Sequence, residues 1–568
     1  MPMRSGVRRL VRSPVLTSLR GYRRAWLPHD LIAGVLIVAL AIPLSMGMAE
    51  LAGVPPVAGL YSCILPLVAY AVFGSSRQLV VALDASTAAM LGAAVAPLAG
   101  GDPVRYVALA AGLTLLAGVI LMAAGAARLG LLADLLSEPV LLGYQAGLAL
   151  VVTASQLPRL LGLAVAADTT LGRFAAVVTD LGQATRWSAA IGVAALAIVV
   201  GMRRWRPAVP GALIALVLAA LVVVVVDPDG VPLVGHIPSG LPSLSFPGVS
   251  AGDLGALLPA AAAIALVAAA DTLVSSRVFA VRGGYRVDAN ADLVGLGAAN
   301  AVSAVSGGIT TSASAARTAV AESVGSKTQV AGLTAAGLMV VVLLAFTGPL
   351  GRVPVAALAA IVIAAVIRLI DVAALRTLYR VRRVEFAIAL AAAAGVVVVG
   401  VLEGVVIAMA LSLVDFLVRT SRPHDAVLGS VPGRLGHHDI ARVKGARTRP
   451  GILVYRFDAP LFYANAEQFR TRVRGLVRRD PDVRLAVIDA SAIADVDVTG
   501  GRMLGELRDE LAAQSVRLVV ACAVGELYDL LVGDELRVDF AADDMFDTVD
   551  EAIAAYAVMA SAGLPSEV

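Results

Sequence analysis

Charge is scarce in this chain. Asp, Glu, Lys and Arg make up 15% of 568 residues, 59% are hydrophobic, and the mean hydropathy is +0.86. A soluble domain carries roughly 25% charged residues, so most of this chain belongs in lipid. Cysteine is scarcer still. Cys63 and Cys522 are too few and too far apart for a disulfide framework or a thiolate metal site. The five histidines fall in tails and loops, and the His437-His438 pair has no further ligand at metal-binding spacing. No phosphate-binding Gly loop, Ser/His/Asp grouping or metal constellation is present, which leaves no basis for an enzyme, a cofactor or a metal. The net charge of +3 gives no reason to expect nucleic acid. The first 29 residues hold Arg4, Arg8, Arg9, Arg12, Arg20, Arg23 and Arg24 without an apolar stretch of signal length. They read as a basic cytoplasmic tail near anionic lipid rather than a cleaved leader.

Apolar runs of membrane length fill residues 30–420. The expected spans are 31–49, 57–73, 79–98, 104–125, 138–157, 187–202, 208–226, 254–274, 289–305, 311–322, 328–347, 353–370, 384–399 and 401–418. Alternate loops are basic: Arg77; Arg128; Arg203, Arg204 and Arg206; Arg277, Arg282 and Arg286; Lys327; Arg376, Arg380, Arg382 and Arg383. The 227–253 loop between them has no Lys or Arg. Exceptions are Arg105, Arg159, Arg173, Arg186 and Arg352. The alternation favours an even number of helices with both termini in the cytoplasm. The runs lack the two-residue period of a membrane barrel.

Beyond Arg422 the composition changes. Residues 421–447, with Pro423, Pro432 and scattered Gly, read as a linker. Strands are expected at 451–457, 485–489 and 516–523, and helices at 466–477, 499–513, 525–532 and 547–560. This alternation predicts one small α/β domain over 448–560, followed by a tail at 561–568.

Two interrupted segments carry the chemistry. One runs Gly74-Ser75-Ser76-Arg77, then Asp84-Ala85-Ser86-Thr87; the other spans Ser306 to Thr318. Both place small polar residues where a short helix would start inside the bilayer, and unwound backbone at that depth must line protein or water. Paired broken helices point to a transporter's midplane site, and helix N-termini attract anions. Tight packing by small residues is the alternative for either segment alone. Asp271 lies in an apolar helix with Ser275 one turn on. A carboxylate there needs a partner, a proton or an ion; the alternative is an interfacial pair with Arg277 or Arg282.

Asp30-Leu31-Ile32-Ala33-Gly34, Ala41-Ile42-Pro43, Leu51 to Pro56, Gly59-Leu60-Tyr61 and Phe73 to Gln78 resemble the opening signature of the SulP sulfate-permease family, which includes prestin and pendrin. Ser137 to Tyr144 and Ser326 to Gly332 fit it too, and the C-terminal domain resembles the family's STAS domain. The resemblance covers about residues 28–560. It implies a polytopic α-helical protein of fourteen helices, arranged as seven plus an inverted seven. These form a core and a gate domain, joined to a cytoplasmic STAS domain, in a homodimer moving elevator-fashion. The anion would bind between the N-termini of the third and tenth helices, at Asp84, Ser86, Thr87, Thr311, Ser314, Ala315 and Arg317. In bicarbonate-carrying relatives a sodium site falls on positions Asp271, Ser275, Ser314 and Ala315; here a ligating Thr is replaced by Ala315. Proline usual at the start of the two broken helices is replaced by Leu83 and Thr310, and a common Gln of the first helix by Leu44. Asp84 is a further departure, either a plain helix cap or a proton carrier whose neutralisation admits the anion. In the soluble domain Asp495 to Gly500 matches the phosphorylation loop of anti-sigma-factor antagonists. Asp497 and Thr499 are thus regulatory candidates, or caps of the following helix.

The expected function is secondary active transport of a small anion of the sulfate, bicarbonate or dicarboxylate class, coupled to proton or sodium, in the cell membrane. The alternatives are a passive channel or exchanger, or a nucleobase permease of the same fold.

Overall fold

A computed structural model describes residues 22–130, 137–165, 167, 169–206, 209–523, 527–528, 531 and 540–561. The expected helix at 525–532 therefore falls largely outside the described residues. The chain divides into two units, at Ser412/Leu413.

The first unit is helical. Its elements are α1 (Leu27–Leu51), α2 (Pro56–Tyr61), α3 (Leu65–Phe73), β1 (Val81–Ala82), α4 (Ala85–Ala99), α5 (Pro103–Ala126), α6 (Glu138–Leu161), α7 (Thr170–Thr179), α8 (Arg186–Trp205), α9 (Gly211–Val226), α10 (Ala251–Gly283), α11 (Ala289–Val305), β2 (Ser312–Ala313), α12 (Ala315–Ser323), α13 (Val330–Ala345), α14 (Thr347–Gly351), α15 (Val355–Val366), α16 (Val372–Val381), α17 (Arg383–Val398) and α18 (Val401–Ser421), the last crossing the division. Among the described residues eight helical stretches are long and apolar enough to cross a membrane. Each expected apolar run coincides with a helix or a pair of short ones. This is a multi-pass membrane protein.

Local chemistry sets the helix ends. Asp102 caps α5, with Pro103 at the first helical position, and Asp288 caps α11. Ser250 and Asp253 form a capping box on α10. Small residues let helices meet closely. A Cβ on Gly118 of α5 would lie 2.8 Å from the Gly297 carbonyl oxygen of α11, and one on Gly295 would lie 2.7 Å from the Gly74 backbone.

Three expectations need correction. The third and tenth runs do not begin as helices at 79 and 311. Residues 81–82 and 312–313 are extended and pair antiparallel, Val81 with Ala313 and Ala82 with Ser312, so α4 and α12 start only at Ala85 and Ala315. Hydropathy alone does not separate a buried apolar strand from a buried helix turn. The amphipathic α7 and α16 occupy segments that hydropathy leaves between spans. The 254–274 span continues to Gly283, which places Ser275 and Arg282 within the helix.

The second unit holds a six-stranded sheet in the order β4-β3-β5-β6-β7-β8. Its strands are β3 (Asp425–Ser430), β4 (His437–Asp439), β5 (Ile452–Phe457), β6 (Leu485–Asp489), β7 (Arg517–Ala521) and β8 (Met545–Phe546), with helices α19 (Ala466–Arg479), α20 (Val498–Ala512) and α21 (Val549–Ser561). β5 to β8 are parallel, and β5, β6 and β7 are mostly apolar, broken only by Arg456, Asp489 and Arg517. Phe469 of α19 packs edge-on against Tyr455 and Phe457. Residues 421–447 are not a plain linker: β3 and β4 form an antiparallel hairpin on the sheet's edge, placing the His437-His438 pair in a strand. Pro432 and Gly433 sit at the hairpin's turn, the chemistry that made the segment read as a linker.

Candidate functional site: a cavity between two opposed helix N-termini

The site is assembled where β1 and β2 cross. Their pairing, with Ser314 N donating to the Val80 carbonyl at 2.9 Å and Val80 N donating to Thr318 Oγ1 at 3.0 Å, sets the N-termini of α4 and α12 on one cavity of about 490 Å³. Leu44 and Met48 of α1, Tyr144 and Gln145 of α6, Asp271 and Ser275 of α10, Ile361 and Ala365 of α15, and residues 83, 84, 86 and 313–317 of the broken segments line it.

Loop contacts hold the two broken segments together. Gln78 Nε2 donates to the Ser326 carbonyl at 2.6 Å, and Gln329 Nε2 donates to the Ser76 and Leu79 carbonyls at 3.0 and 2.8 Å. Asp30 accepts from Ser326 Oγ, Lys327 N and Thr328 Oγ1 at 2.7–3.0 Å. Asp292 Oδ1 accepts from Tyr70 OH, Ser75 N, Ser75 Oγ and Ser76 N at 2.8–3.1 Å. The residues of the 73–78 and 326–329 signatures thus form a polar clasp, which replaces the water that unwound backbone would need.

Arg317, on the first turn of α12, is 1% exposed. Its Nη1 donates to the Leu83 carbonyl at 3.4 Å and its Nη2 to Ser45 Oγ at 3.2 Å, while Nε has no partner. It makes no ion pair with a carboxylate among the described residues. Burying a guanidinium without an ion pair is costly.

Asp84 caps α4. Its Oδ2 accepts from Ser86 N at 3.0 Å and Ser86 Oγ at 2.7 Å, while the side chain also lines the cavity. Asp271 and Ser275 line the cavity one turn apart, and Asp271 has no hydrogen-bond or ion-pair partner among the described residues. Arg282 instead reaches Glu322 at 3.4 Å. Ser86, Ser314, Ala315 and Arg317 line the cavity. Thr87 and Thr311 do not. Thr87 turns its hydroxyl back to the Asp84 carbonyl, and Thr311 precedes the true helix start, its backbone held on both sides by the Asn300 amide. The sequence reasoning missed Ser45, Tyr144, Gln145 and Arg368, and took Arg203 for a plain loop charge. Arg203 and Arg368 are exposed and line the same cavity. Among the described lining residues three arginines face two aspartates.

In the second unit Asp497 caps α20, accepting from Gly500 N at 2.7 Å and Tyr463 N at 3.0 Å, and Thr499 is exposed on the helix's first turn.

The model of the Sulfate permease family matches residues 27–392, and that of the STAS domain matches residues 444–552. A Mycobacterium tuberculosis protein named probable sulfate transporter is 42% identical over 547 residues, covering 96% of this chain and 98% of that one. Sulfate transporter 3.1 of Arabidopsis thaliana is 30% identical, covering 96% and 87%. Among solved structures, the murine solute carrier 26 family member A9 anion transporter in the inward-facing state shares the fold at TM-score 0.88 and 21% identity, covering 96% and 94%. The transmembrane domain of a cyanobacterial bicarbonate transporter shares it at TM-score 0.60 and 24% identity, covering 69% of this chain and 98% of that one. The nucleobase-permease alternative finds no support in these matches. The chain belongs to the sulfate permease family, a family of membrane anion transporters rather than enzymes, and carries a STAS domain after its membrane domain.

Proposed function

We propose that this protein is a secondary active transporter of a small oxyanion, with sulfate as the first candidate, coupled to protons through Asp84. The observation that carries the reading is Arg317, a buried guanidinium that makes no ion pair among the described residues, placed between two helix N-termini on a cavity large enough for a hydrated anion. Helix ends and guanidinium both attract negative charge. The names of the relatives at 42% and 30% identity favour sulfate.

Charge balance supports proton coupling. With both aspartates counted as ionised, the three arginines leave the cavity lining with one net positive charge. A bound dianion makes it one negative, and one proton on a carboxylate restores neutrality. Asp84 is nearest in sequence to the helix end and its Oδ1 accepts no hydrogen bond among the described residues, so it is the proton's place in this reading. Sodium at Asp271 and Ser275 is the weaker form, because Ala315 offers no hydroxyl. The alternation of basic loops favours the cytoplasmic side of the cell membrane for the Arg203 and Arg368 end. An inverted seven-plus-seven repeat, elevator-like movement of the broken-helix core and a homodimeric gate complete the proposal by family analogy.

The test is uptake of radiolabelled sulfate into proteoliposomes. An inward proton gradient is expected to drive accumulation and Arg317→Gln to abolish it. Uptake that merely equilibrates, whatever the gradient, would establish a passive path instead.

A further inference from the structure

Arg203 ends α8, and Arg368 lies in the turn that follows α15. These helices pack together, which brings the two side chains onto one rim of the cavity and close enough to repel each other. Both are exposed, whereas Arg317 is deeply buried, so they mark the mouth and Arg317 the depth. Neither has a hydrogen bond, ion pair or ring contact among the described residues. Arg282, Arg382 and Arg419 at other helix ends are matched with Glu322, Glu385 and Asp415, whereas Arg204 beside Arg203 has no carboxylate partner among the described residues but lies off the cavity.

Placement at a helix C-terminus accounts for one cation at each position. It does not account for two unneutralised guanidiniums on one cavity rim, where their repulsion opposes the packing of α8 against α15. A doubly charged anion removes that repulsion, and each guanidinium offers it a planar pair of donors.

We propose that Arg203 and Arg368 form a second anion subsite at the cavity mouth, built for a tetrahedral dianion that is captured there before it moves to Arg317. This rests on the reading of the deep cavity as an anion site. Exposure keeps the mouth site weak, which suits a site of transit: an ion must enter readily and leave readily. The Coulomb attraction of the pair doubles from a monoanion to a dianion, so the mouth also selects by valence.

The test is sulfate uptake by the full-length protein in proteoliposomes. Arg203→Gln and Arg368→Gln are each expected to raise the apparent KM about threefold, and together about tenfold, with turnover at saturation kept. The rise in KM with ionic strength should flatten in the double variant. Replacing both with Lys should restore most of the affinity, since charge is kept. Arg204→Gln, exposed but off the cavity, should change nothing. A double Gln variant with wild-type KM, or an equal rise in Arg204→Gln, overturns the mouth site. The deep site fails separately, if Arg317→Gln transports normally.

Discussion

Arg159 Nη1 donates to the Glu50 carboxylate at 2.7 Å and to the Glu50 carbonyl at 3.3 Å. It thereby joins the C-terminal end of α1 to that of α6. Glu50 follows Met48, the last α1 residue on the cavity, and Arg159 lies about 21 Å along α6 from the cavity-lining Gln145. Neither Glu50 nor Arg159 lines the cavity, so the pair would act as a latch by holding those two helix ends together. It also explains why Arg159 breaks the alternation of basic loops: its charge is neutralised locally.

If the two ends open alternately, Glu50→Gln or Arg159→Gln favours opening at the Glu50 end. The pair is partly exposed, at 41% and 20%, so its loss is worth about 0.2–1 kcal/mol, a shift of up to about fivefold. A cysteine placed at Met48 should react faster with an impermeant thiol reagent applied from that side. The charge-reversed double variant, Glu50→Arg with Arg159→Glu, should return the rate toward that of the parent. Unchanged labelling in both single variants would show that the pair is no latch.

Asp84→Asn separates the two roles of Asp84. An Asn amide oxygen still accepts from Ser86 N, so the α4 cap survives, but the group no longer carries a proton. Sulfate uptake in the variant should lose its dependence on pH while the protein folds normally. A pH profile like that of the parent would remove Asp84 from proton coupling.

The clasp predicts coupling between the broken segments. Gln78→Ala leaves the buried Ser326 carbonyl unpaired, and Gln329→Ala leaves those of Ser76 and Leu79; each orphaned group costs about 1–3 kcal/mol. Hydrogen exchange should quicken at both 79–84 and 312–318 in either variant. Loss of protection confined to the loop that is mutated would mean that the segments are independent.

Ser45 orients Arg317 from α1, with its hydroxyl also 3.1 Å from Cys63 Sγ. A hydrogen bond to a charged group is worth about 1.5–3 kcal/mol. Ser45→Ala should therefore raise the KM for sulfate roughly tenfold or more without changing the pH profile. An unaltered KM would show that the Leu83 carbonyl alone suffices to aim the guanidinium.

Much of this was legible in the sequence. Span length and hydropathy located the helical runs because lipid demands both, and the small polar residues at 84–87 and 306–318 located the breaks because unwound backbone needs partners. What sequence concealed is depth and direction. Leu79 to Leu83 is as apolar as a helix turn, so nothing local says that it is extended. Thr311 and Ser314 look alike in composition, yet only Ser314 reaches the cavity, because the strand pairing postpones the helix start. Arg203 and Arg368 are 165 residues apart, and only the packing of α8 on α15 puts them on one rim. The β3–β4 hairpin was hidden by turn residues that mark a hairpin and a linker equally.

The most direct measurement is anomalous diffraction from crystals of the full-length protein soaked in selenate, a heavier double of sulfate. A peak within hydrogen-bonding distance of Arg317 and the first backbone N–H groups of α12 is the result predicted. Saturating selenate that leaves this position empty while binding elsewhere in the membrane domain would contradict it.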